Sequence, residues 1–217
     1  MNAKFKTSLL LSIAIIIVGI ALTFTGMSFT FEGPAKYVVE LSQIWLCMFA
    51  GVVFALLFGF VRYDRVHALA LLASVLHDYL MSLAVISIVS LILPGITQIP
   101  AANAIPFILV SAIAFTLAQA LPVINKAAQL YRSTSRREMP VDDIVVNSVK
   151  ESRNLRVSIL VVELIFLVAL LFGGKGVIAV ILPIIVIALV SFYSAENLAS
   201  HFWELAISKL RPRKQSR

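Results

Sequence analysis

Residues 68–93 read ALALLASVLHDYLMSLAVISIVSLIL. The run is long enough to cross a bilayer, which takes about 20 apolar residues. Its only His, Asp, Glu, Lys or Arg side chains are His77 and Asp78, side by side. Asp78 lies 13 residues past Arg65, roughly 20 Å along a helix rising ~1.5 Å per residue. That depth is near the middle of a membrane. Ser74 and Ser82 stand four residues before and after it, so all three share one helix face. Such a face belongs inside a bundle and not against lipid.

The rest of the chain has the same character. Of 217 residues 60% are hydrophobic and 13% charged, and the mean hydropathy is +0.99. Soluble domains carry about twice that share of charge. The composition therefore excludes a soluble globular domain, a disordered chain and a disulfide scaffold. Six apolar runs are evident, at about 8–24, 41–61, 68–93, 104–124, 157–172 and 177–195. The first follows Lys4 and Lys6 as a signal peptide would, but it is long for one and lacks a small-residue cleavage site. It reads as a retained span. The expected fold is all-α and integral to the membrane, a single domain of six transmembrane helices.

Charge gives the orientation. Lys and Arg number two before the first run and two between runs two and three. Seven more lie between runs four and five and five in the tail. The opposite side holds Lys36 and Lys175. Sixteen against two on alternating loops puts both termini in the cytoplasm by the positive-inside rule. This accounts for the net charge of +7 without nucleic acid as a partner. In the cytoplasmic loop 125–156, Pro140 can open a helix with Asp142 and Asp143 in its first turn. Val141, Ile144, Val145 and Val149 recur at helical spacing. The segment reads as a short amphipathic helix, the alternative being a solvated loop. Segment 196–217 reads as interfacial, anchored by Phe202, Trp203 and Ile207, with a basic tail that sets topology and attracts anionic lipid.

Cys47 is the single cysteine and reads as a small buried apolar residue, so neither a disulfide nor a metal cluster is expected. No P-loop, zinc-protease or nucleophile-elbow motif occurs, so no covalent catalysis and no cofactor are expected. Gly173–Gly176 reads as a tight turn. His67 and His201 fall at span ends, and Glu196 near a helix end carries no assignment.

The membrane-embedded polar residues are then the candidates. No Lys or Arg lies within a span to pair with Asp78. A desolvated carboxyl without a cation tends to hold its proton. It can load and unload that proton where water reaches it, or it can serve as a permanently protonated bond between helices. Glu163 in the fifth run is shallower, and reads either as snorkelling to the cytoplasmic surface or as a second relay group. Gln119 in the fourth run shares a face with Ser111 and reads as an interhelical hydrogen-bonder.

Several local patterns occur in order: TGMSFTFEG at 25–33, VRYDR at 61–65, LHDYLMSLAVISI at 76–88, LFGG at 171–174 and FYSAENLAS at 192–200. Together they resemble SecF of the SecD–SecF protein-export family, related to the proton-driven RND transporters. The resemblance implies half of a pseudo-symmetric twelve-helix assembly in the cytoplasmic membrane, with a SecD-like six-span subunit and the Sec translocon as partners. It implies that Asp78 is the family's membrane aspartate and Glu32 the acid after the first span. The family's folded extracytoplasmic domain has no counterpart in the short segment 26–40, and the fourth-span motif diverges. Gln119 stands where the family has an aspartate, and Lys126 where it has an arginine. Proton transfer would then run on Asp78, with Glu163 as the second candidate. The alternatives are a small RND-type transporter of a lipid or small molecule acting as a homodimer, and a scaffold subunit with no transport.

Overall fold

The computed structural model describes residues 3–24, 41–92, 104–133, 140–172 and 175–210. Segment 26–40 with Glu32, Gly173 and Gly174, the Cys47 side chain and the tail 211–217 lie outside the described residues. The described chain is entirely helical, in the order α1 (Ala3–Phe24), α2 (Leu41–Arg62), α3 (Arg65–Ile92), α4 (Ala104–Ser133), α5 (Val141–Leu171), α6 (Lys175–Asn197) and α7 (Ala199–Leu210). Four of these, α3 to α6, are long and apolar enough to cross a membrane, and the protein is membrane-embedded. The apolar stretches described in α1 and α2 are shorter, Phe5–Ala21 and Met48–Arg62.

Helix α3 is the hub, packed by α1, α2, α4, α6 and α7. Small residues let the backbones close in. A Cβ on Gly59 would lie 2.6 Å from Ala68 Cα, and one on Gly19 would strike Ala84. Within lipid, where apolar burial no longer drives association, such close approach is the main source of helix–helix attraction. Two apolar clusters result. One, at the level of Asp78, holds Val75, Tyr79, Ala112, Leu167, Ile184 and Ile187. The other, nearer the Arg65 end of α3, holds Leu71, Ile124, Ile144 and Trp203.

The loop 125–156 is where the structure departs most from the sequence reading. Helix α4 runs on to Ser133 and α5 starts at Val141. The separate amphipathic helix is instead the first half of a 31-residue α5. Its start is as the sequence indicates: Pro140 is the N-cap and Asp142 and Asp143 occupy the first turn. Hydropathy marks where lipid begins, but no Pro or Gly between 141 and 171 ends the helix there. The anchors of α7 also differ. Trp203 and Ile207 are 1% and 5% exposed, and Trp203 meets Tyr131 edge-on at 5.7 Å. They fasten α7 to the bundle and not to lipid.

Candidate functional site

Three helices place polar side chains around Asp78, which is 1% exposed. Thr116 of α4 donates its hydroxyl to Asp78 Oδ2 at 2.7 Å. Its single hydrogen is thereby used, so Ser191 of α6, 3.3 Å from Thr116 Oγ1, is the donor in that second bond. His77 Nδ1 lies 3.0 Å from Asp78 Oδ1. That contact needs one proton, on the imidazole or on the carboxyl. The result is a chain from Ser191 through Thr116 to Asp78 and His77, joining α6, α4 and α3. Every member is buried. His77 Nε2 has no hydrogen-bond partner among the described residues. The imidazole also approaches the Phe202 ring of α7 at 6.2 Å.

The serine stripe on α3 is not a continuous path. Ser74 donates to Ala70 O of its own helix at 3.0 Å. Ser82 Oγ is buried and makes no hydrogen bond among the described residues. Asp78 is instead answered across the bundle.

One turn beyond Thr116, Gln119 Nε2 donates to Glu163 Oε2 of α5 at 3.3 Å. Gln119 is fully buried, and its Oε1 is left without a partner among the described residues. Gln119 of α4 and Glu163 of α5 thus meet between two helices. Lys126 stands apart from this group. It pairs with Glu151 of α5 at 2.7 Å, the two side chains being 28% and 47% exposed. Among the described residues, no group of His, Cys, Asp and Glu is placed to hold a metal.

Sequence reasoning missed Thr116 and Ser191, which are 38 and 75 residues away from their bonding partners. It also missed a second buried polar centre. Arg156 is 0% exposed and donates from Nη2 to Glu196 Oε2 of α6 at 2.6 Å and to Val149 O at 3.1 Å. Its Nε reaches Ser152 Oγ at 3.3 Å, and its guanidinium lies 5.7 Å from the Phe192 ring. The signal was the four-residue spacing of Ser148, Ser152 and Arg156, which puts all three on one buried face of α5.

Comparison with protein-family models, with curated proteins and with solved structures gave no match. The site is therefore read from its own chemistry.

Proposed function

We propose that this chain is a six-span, SecF-like subunit of the cytoplasmic membrane that assists protein export. In this reading, proton exchange at Asp78 and His77 biases how α3, α4 and α6 pack. The observation that carries it is the buried Ser191–Thr116–Asp78–His77 chain, which ties an ionisable group deep in an apolar bundle to α4 directly and to α6 through Thr116. Adding a proton to such a carboxyl removes a buried charge and reverses the direction in which its bonds can run. A ligand that binds one arrangement better than another shifts the population, and here the ligand is the proton.

Six crossings fit the dimensions. Helices α1 and α2 have 22 residues each, about 33 Å at ~1.5 Å per residue, against a hydrocarbon core of about 30 Å. The Lys and Arg asymmetry supports cytoplasmic termini. A SecD-like partner would take the outer face of α5, where Val162, Ile165 and Phe166 are exposed. One observation favours the scaffold reading instead: protein groups occupy both oxygens of Asp78. Asp78→Asn separates the two, because the amide keeps an acceptor for Thr116 and cannot exchange a proton. Export of a secreted reporter should fall sharply in cells carrying it, with membrane levels of the protein unchanged. Unimpaired export would leave Asp78 a structural bond.

A further inference from the structure

Where α2 meets α3, a second site is built from residues that the proton chain does not use. A pocket of about 820 Å³ opens there between the two-residue turn and the end of α4. Its floor is a stack of side chains. Asp64 Oδ1 caps α3, accepting the His67 backbone N–H at 3.0 Å and lying 2.7 Å from His67 Nδ1. Tyr63 stacks on His67 at 5.2 Å and 14°, and the Arg62 guanidinium lies 5.6 Å from the Tyr63 ring centroid. Gln129 and Arg132 of α4 form the facing wall. Arg132 Nη2 stands 3.8 Å from Asp64 Oδ2, too far for a hydrogen bond. Two arginines thus line one cavity with a single carboxylate, Asp64, which already engages His67 and lies within ion-pair distance of Arg132.

The pocket's position adds the second half of the argument. Helix α4 has 30 residues, about 45 Å, so it overhangs a hydrocarbon core of about 30 Å. The turn at Tyr63 and Asp64 marks where α2 and α3 leave the lipid. The cavity between turn and overhang therefore sits at headgroup depth. On the adjoining face of α2, Phe54, Leu57 and Val61 form an exposed apolar strip, with Val61 86% exposed. Their spacing of three and four residues puts them on one face. Two arginines at headgroup depth, beside a helix face that is apolar and exposed, match the two ends of an anionic lipid.

We propose that Arg62 and Arg132 bind a phosphoryl group presented at the membrane surface. The test uses the full chain in nanodiscs of phosphatidylcholine with phosphatidylglycerol. Native mass spectrometry counts the lipids retained after detergent extraction. Wild-type protein should retain phosphatidylglycerol over phosphatidylcholine. Arg62→Gln with Arg132→Gln should reduce that preference roughly thirtyfold, the effect of two basic residues at an anionic surface. Gln129→Trp, which fills the cavity and keeps both charges, should reduce it too. Lys209→Gln on α7 should not. Inorganic phosphate that displaces the retained lipid from wild-type protein at millimolar concentration, and itself remains bound, would assign the site to a free phosphate. Equal losses in the double variant and in Lys209→Gln, or full retention in Gln129→Trp, would overturn the proposal.

Discussion

At the scale of single residues, exposure decides what each half of a charged pair is worth. Arg156 is 0% exposed while Glu196 is 27% exposed. Removing Glu196 strands a guanidinium out of reach of water, a loss of about 3–5 kcal/mol for a broken buried pair. Removing the cation instead leaves a carboxylate that can still be hydrated, and a methionine fills much of the space. Glu196→Ala should therefore destabilise by about 3 kcal/mol and Arg156→Met by roughly half as much or less. Unfolding by denaturing detergent checks the order of the two, and equal losses would mean that the asymmetry of exposure is irrelevant. Asp78 was legible because it is the one carboxyl in residues 68–93. Thr116 and Ser191 were not, because hydroxyls are common in apolar helices and only the rotation of α4 and α6 selects these two. Glu196 was set aside for its place near a helix end, although that end is folded inward against Arg156.

At the scale of helices, glycine contacts carry the packing of α3. A side chain at Gly59 would drive α2 away from Ala68, since even the first carbon lies 2.6 Å from a backbone atom that cannot yield. Gly59→Leu should destabilise by about 1–3 kcal/mol, the usual cost of overpacking. Ala14→Leu on the exposed face of α1 should change stability by under about 0.5 kcal/mol. The same unfolding assay reads both, and a neutral Gly59→Leu would show that α2 and α3 do not depend on this approach. Helix positions were legible wherever lipid imposes an apolar run. The ends of α4 and α5 were not, because hydropathy reports the solvent and not the hydrogen bonding of the backbone. Past residue 124 the α4 side chains turn polar while Ala127, Ala128 and Leu130 keep strong helix propensity. The α7 anchors misled for the opposite reason, since an apolar stripe with Trp suits a protein groove as well as a lipid surface.

At the scale of the whole molecule, length and charge make a joint statement about orientation. Helices α4 and α5 exceed a bilayer core and join through 134–139, and this junction with the residues flanking it holds seven of the chain's 18 Lys and Arg. Helix ends that exceed the membrane must stand outside it, and in the proposed orientation the clustered cations put this side in the cytoplasm. The polar pairing of the overhang agrees: Lys126 and Glu151 form an ion pair across α4 and α5 at 2.7 Å, which suits the aqueous side of a membrane better than its hydrocarbon. Cys47→Ser gives a background free of thiols, in which single cysteines report the side they face. Gln129→Cys at the end of α4 and Ser208→Cys on α7 should react with a membrane-impermeant maleimide only after the cells are opened. Lys175→Cys, at the start of α6, should react in intact cells. A single pattern shared by Gln129→Cys and Lys175→Cys would require an even number of crossings between them. That would remove α5 as a span and detach Glu163 from the membrane interior, leaving Asp78 as the only carboxyl among the described residues within it on which proton coupling could rest.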